Sequence, residues 1–155
     1  MPPATRSASR RRWLRHGAAA ALALTLRPVA AVSETPSLEA MVRTWAAGQP
    51  VRTGRITLTV PELVENGNAV PLQVHVASPM TADDRVTELV VYNERNPQRE
   101  VLRCEFGPGC PRAEVHTRIR LATSQRLVAL ARLADGSQWQ QVAEVIVTLA
   151  ACVED

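Results

Sequence analysis

Ile56-Thr57-Leu58-Thr59-Val60 and Val70-Pro71-Leu72-Gln73-Val74-His75-Val76 share one rhythm, an apolar residue at every second position. A period of two places those residues on a single face of an extended chain, so each stretch predicts a half-buried strand. Asn66-Gly67-Asn68 supplies a turn signal between them. The same reading predicts further strands around residues 86–92, 100–105, 115–121, 127–133 and 138–149. Asn96-Pro97, Gly107-Pro108-Gly109 and Asp135-Gly136 punctuate them. About seven short strands with regular turn signals predict an all-β fold, an immunoglobulin-like β-sandwich spanning residues 50–149. A closed barrel is the alternative, because strand count does not decide closure.

The pattern ahead of the strands is helical. Leu38, Met41, Val42 and Trp45 recur at helical spacing, which predicts a short amphipathic helix within residues 32–49. Thr35 is the expected cap with Pro36 at the first helical position, and Gly48 followed by Pro50 is the expected stop. The apolar stripe reads as a packing contact.

Residues 1–31 have a different character. Arg10-Arg11-Arg12 precedes an Ala/Leu-rich stretch from Gly17 to Leu26, followed by small residues near Ala31 and Ser33. That order predicts a cleaved twin-arginine signal, hence export to the periplasm without a membrane anchor; the apolar stretch is too short to span a bilayer. Removing the signal reverses the charge. All 18 basic residues are arginine, and six of them precede residue 32, whereas all 15 acidic residues follow it. The mature chain therefore carries twelve positive and fifteen negative side chains, a net of −3 with histidine neutral. A net negative domain with few aromatic side chains gives no support to nucleic-acid binding.

Of the three cysteines, Cys104 and Cys110 lie close together around Gly107-Pro108-Gly109. The spacing fits neither a zinc ribbon nor a C-x-x-C redox centre. A short glycine-proline turn lets the chain double back, so in an oxidising compartment a structural disulfide is expected there, with a pair of reactive thiols as the alternative. Cys152 is then left over, in an arm of residues 150–155 beyond the last strand. An odd cysteine in an exported protein implies a free reactive thiol or an intermolecular bond. Glu154 and Asp155 place negative charge beside it, which disfavours the thiolate unless a partner supplies positive charge.

Other polar residues read more plainly. His75 and His116 fall at outward positions beside Gln73 and Arg118 and lack a visible third metal ligand. Asp83-Asp84 reads as a polar turn before a strand. The sequence holds no phosphate-binding glycine loop, nucleophile elbow or His-Glu zinc motif, so no cofactor is expected.

Several stretches together resemble the SoxY family of sulfur-oxidation carrier proteins. They are Val60-Pro61-Glu62-Leu63-Val64-Glu65-Asn66-Gly67-Asn68-Ala69-Val70-Pro71, Ala77-Ser78-Pro79-Met80-Thr81 and Asn96-Pro97. Thr117-Arg118-Ile119-Arg120-Leu121-Ala122, Asp135-Gly136 and Val145-Ile146-Val147-Thr148 before a terminal cysteine complete the set. The resemblance covers roughly residues 50 to 152. It implies a periplasmic, non-enzymatic carrier that holds sulfur intermediates covalently on Cys152. It also implies a heterodimer with a SoxZ-like immunoglobulin-like subunit, and presentation of the cargo to enzymes of thiosulfate-type oxidation. The arm departs from the family's Gly-Gly-Cys-Gly-Gly: Ala150-Ala151-Cys152-Val153-Glu154-Asp155 is similar to a related branch with an Ala-Ala-Cys-Ile-Glu arm. Without that resemblance, an immunoglobulin-like interaction module whose Cys152 forms an intermolecular disulfide is the competing reading, and a thiol enzyme is a weaker one, since a self-sufficient catalyst needs a base or cation near the sulfur.

Overall fold

The computed structural model describes residues 35–149. The strands follow the alternation. The clearest is β4 (Val70–Val76), whose Val70, Leu72, Val74 and Val76 are buried while Pro71, Gln73 and His75 face solvent. It pairs antiparallel with β2 (Ile56–Thr59) on one side and β7 (Ala113–Ile119) on the other, forming the smaller sheet. The larger sheet runs β1 (Val51–Arg52), β9 (Gln138–Val147), β8 (Gln125–Leu133), β5 (Val86–Asn93) and β6 (Glu100–Glu105), with β3 (Leu63–Val64) also on β9. The inner faces of the two sheets meet in one core that includes Leu72, Val74, Leu89, Val91, Leu127, Ala129 and Val145. The expected sandwich is therefore present, with seven longer strands and two two-residue ones.

The two short strands explain a departure from the sequence reading. Asn66-Gly67-Asn68 does not join β2 to β4 as a simple hairpin turn. The chain leaves β9 after β1, crosses to the smaller sheet as β2, and returns to β9 as β3, both β1 and β3 being parallel to it. Asn66 then caps a 3-10 turn (Gly67–Ala69), its side chain accepting from the Asn68 amide at 2.9 Å. Two residues are too few to carry a period of two, so neither short strand is visible in the pattern.

Helix α1 (Leu38–Ala46) lies on the outer face of the larger sheet. Its Leu38, Trp45 and Ala46 bury Val90, Val128 and Leu130 in a second apolar layer. Its cap is Ser37 rather than Thr35: the Ser37 hydroxyl accepts from the Ala40 amide at 3.1 Å, which satisfies one of the free first-turn donors. Ala47 and Gly48 end it with positive φ values of 50° and 82°, the left-handed conformation that closes a helix and that glycine adopts without strain. Arg132 holds the far end, with its guanidinium 4.8 Å from the Trp45 ring centre and a 3.1 Å hydrogen bond donated to the Trp45 carbonyl. Among the described residues no helix is long and apolar enough to cross a membrane.

Candidate functional site

Cys152, with the rest of the arm (residues 150–155), lies outside the described residues, and so does the signal read over residues 1–31. What is described is the root from which the arm departs. Strand β9 ends at Val147, and the next two residues are fastened to the segment around β3. The Ile146 amide donates to the Glu62 carbonyl at 2.8 Å, Thr148 to Val64 at 3.0 Å and Leu149 to Glu65 at 3.2 Å. The Gly67 amide donates back to the Leu149 carbonyl at 3.0 Å. On the opposite side the Val147 amide donates to the Ser124 hydroxyl at 2.9 Å. These bonds hold the backbone up to Leu149, so the arm leaves from a fixed point. Gly67 is buried, and its carbonyl also accepts from the Leu121 amide at 2.8 Å, which ties the 3-10 turn to both β9 and the chain after β7.

The side chains at this root differ from what alternation predicts. Val145 is fully buried and Val147 packs against the core, yet Leu149, in phase with both, is 64% exposed. The register is lost because the strand stops at Val147 and Thr148 and Leu149 turn onto the β3 backbone. The opposite face of β9 carries Val142 and Ile146, and Leu63 stands beside Ile146 in register. Leu63, Val142, Ile146 and Leu149 are the exposed large apolar side chains of the described residues. A groove beside them is walled by Leu58, Val60 and Glu62 on one side and Val142, Ala143, Glu144 and Ile146 on the other. Sequence reasoning missed this strip. The available signal was that Val142, Val145, Ile146 and Val147 are apolar on both faces of one strand, which a one-sided core does not require.

The loop thiols are both described. Cys104 sits half-buried on β6 against the core, and burial pushes its thiol up, away from the reactive thiolate. Cys110 follows the Gly107 turn, its amide donating to the Gly107 carbonyl at 3.3 Å. Both are free thiols in the structure, so the expected Cys104–Cys110 bond is not formed in it. Cys104 lies within a strand with its side chain against the core, and Cys110 lies beyond the turn.

The outward histidines are where alternation puts them. His75 faces Glu114 across the β4–β7 pair, and His116 contacts Glu114 Oε1 through Nε2 at 2.6 Å. That hydrogen bond, with the charge of the nearby His116, His75 and Arg112, holds the Glu114 carboxyl below its ordinary value. Among the described residues no three His, Cys, Asp or Glu side chains are grouped to hold a metal ion. Asp84 is a structural partner: its carboxylate accepts from Arg55 at 2.5 Å, in keeping with a polar turn.

The family model described as sulfur oxidation protein SoxY matches residues 42–152, and the chain belongs to that family. Among solved structures, the sulfur carrier protein SoxY from Chlorobium limicola f thiosulfatophilum is 25% identical. It matches with a TM-score of 0.61 over 73% of this chain and 97% of that one. The superoxide reductase (neelaredoxin) from Ignicoccus hospitalis is 22% identical with a TM-score of 0.54, covering 63% of this chain and 94% of that one, a likeness of fold. No curated protein sequence matches the chain.

Proposed function

We propose that this member of the SoxY family is a periplasmic carrier that holds sulfur intermediates covalently on Cys152 and presents them to enzymes of thiosulfate-type oxidation. The observation that carries the reading is the reach of the family match, which runs to residue 152 and so takes in the cysteine of the arm. The hydrogen-bonded root supports it physically, since a carrier thiol needs a fixed base. Joining the Cys152 thiolate to a thiolate-like sulfur through an S–S bond releases two electrons. Those electrons pass to an acceptor on the partner enzyme, which makes the protein the substrate of that step rather than its catalyst. The proposal includes export by the twin-arginine route and a SoxZ-like immunoglobulin-like subunit as a stable partner. Export of a folded heterodimer would account for the use of that route by a domain without a cofactor motif.

Intact-mass analysis of protein purified from its own periplasm tests the reading. The expected spectrum has lost about the first 31 residues and shows reductant-sensitive sulfur adducts that are absent from Cys152→Ser. A spectrum containing only the bare chain and a Cys152-linked dimer would favour the interaction-module reading instead. Alkylation of the non-reduced protein followed by peptide mapping decides the loop thiols. A linked Cys104–Cys110 peptide establishes the staple, and labelling of both establishes free thiols.

A further inference from the structure

We propose that the strip formed by Leu63, Val142, Ile146 and Leu149, with Glu144 between Val142 and Ile146 and with Glu62 and Glu65 beside it, is a transient docking surface for the enzyme that acts on Cys152. The enzyme would present a complementary apolar patch bordered by basic side chains. The inference rests on the carrier reading for the identity of the occupant and on the geometry for its place.

Three observations converge on it. The apolar side chains share one face: Val142 and Ile146 flank Glu144 on the outer face of β9, Leu63 is the partner of Ile146 in register, and Leu149 ends the held backbone. The carboxylates are unneutralised, because among the described residues none of Glu62, Glu65 and Glu144 takes part in an ion pair. Arg126, the cross-strand partner of Glu144, is bound to Glu39 at 2.8 Å and Glu94 at 2.6 Å. The position is also specific. Cys152 is the third residue after Leu149, at most about 10 Å of extended chain, so whatever covers Leu149 is within reach of the thiol.

Charge and size select the occupant. A second copy would bring the same carboxylates against each other across a low-dielectric contact, which costs rather than stabilises. A basic rim reverses the sign and steers encounter. A stable interface takes roughly 20–30 residues a side, far more than these seven residues. That extent suits a carrier that must leave after each transfer.

The test uses the exported full-length protein with a photo-crosslinking amino acid at Val142 or Ile146, and at Gln73 on the smaller sheet as the control. In parallel, a photoaffinity maleimide on Cys152 of protein carrying Cys104→Ala and Cys110→Ala identifies the enzyme that receives the arm. The same enzyme should be trapped from Val142, Ile146 and Cys152 but not from Gln73, and the Val142 and Ile146 crosslinks should persist in Cys152→Ser. Against that purified enzyme, Val142→Lys with Ile146→Lys should weaken binding roughly tenfold or more. Glu62→Gln, Glu65→Gln and Glu144→Gln together should slow association and flatten its salt dependence. Trapping a second copy, trapping only the SoxZ-like subunit, trapping nothing beyond the Gln73 control, or unchanged binding by the lysine variant overturns the docking surface. Loss of sulfur adducts or of any Cys152-trapped enzyme, while the strip still traps a protein, overturns the carrier reading and, with it, the occupant named here.

Discussion

Over β5 and β8 the outer face of the larger sheet is roofed: Val90, Val128 and Leu130 are buried beneath Leu38, Trp45 and Ala46 of α1. One strand further, on β9, the helix still covers Gln138, which donates to the Ala46 carbonyl, but farther along the same face Val142 is 45% and Ile146 54% exposed. The helix has nine residues, about 13 Å of length, and it stops short of this ground. An apolar residue on the outer face therefore has two fates here. Under the helix it contributes to the protein's own stability, and beyond the helix it is available to another molecule. Substitutions in the two halves should separate accordingly.

The largest effect is expected under the roof. Trp45 is only 9% exposed and anchors the layer, so Trp45→Ala should destabilise the domain by about 3 kcal/mol. Thermal unfolding should fall by roughly 10 °C for a domain of this size. A drop of a degree or two would mean that α1 is not a stabilising element and that the contrast between the halves is false.

A smaller loss is expected from the residue that ties the roof down. Arg132 stacks on Trp45, donates to its carbonyl and pairs with Glu88 at 3.2 Å. Arg132→Met keeps most of the aliphatic stem and removes those contacts, so a cost of about 1 kcal/mol is expected. The double variant with Trp45→Ala sharpens the point. If Arg132 acts through Trp45, the two losses should sum to more than the double variant shows.

Most of this architecture was legible in the sequence because the long strands are buried on one face, as β4 is, or on both, as β8 is beneath α1. Val70 to Val76 and Leu127 to Leu133 announce themselves by period or by apolar density. What escaped was short or two-faced. Leu63–Val64 carries no period, and its role follows from pairing with β9, a contact between residues far apart in the chain. Ser37 displaced Thr35 as the cap by one hydroxyl hydrogen bond, a choice that composition does not decide. At the site, the cysteine was plain and the strip beside it was not: Val145, Val147 and Leu149 satisfied a core-facing pattern, which drew attention away from Val142 and Ile146 on the other face. Leu149, within the strand expected around 138–149, lies past the residue where the strand ends.

The boundary between the halves carries an electrostatic device whose effect should be smaller still. Arg126 joins Glu39 of the helix to Glu94 beyond β5. Hydrogen bonding from Arg126 holds the Glu94 carboxyl below its ordinary value. A depressed carboxylate stabilises the fold above the unfolded-state value, near 4.3, and that contribution disappears as pH falls through the folded-state value. Arg126→Met should therefore melt slightly below the parent at pH 7, and the gap should close in acid. The group is solvent-screened, so the pH 7 difference should stay below the effect of Arg132→Met. A gap that persists unchanged in acid would assign the role of Arg126 to packing.

The smallest change in stability is expected where the docking surface is proposed, and that is what gives the comparison its force. Val142 and Ile146 are each about half exposed, so replacing either by threonine removes little apolar area from the protein's own interior. Threonine keeps the β-branch that suits a strand, which leaves backbone preference nearly unchanged. Val142→Thr and Ile146→Thr should each lie within about 0.5 kcal/mol of the parent in thermal or denaturant unfolding. A loss approaching that of Trp45→Ala would show that the bare half is packed against part of the chain itself, most simply the arm, and would remove the strip from consideration as a partner's surface. A null result in unfolding together with weakened capture of the Cys152 enzyme would separate the halves as argued: one face of one sheet, divided between the protein's own fold and its partner.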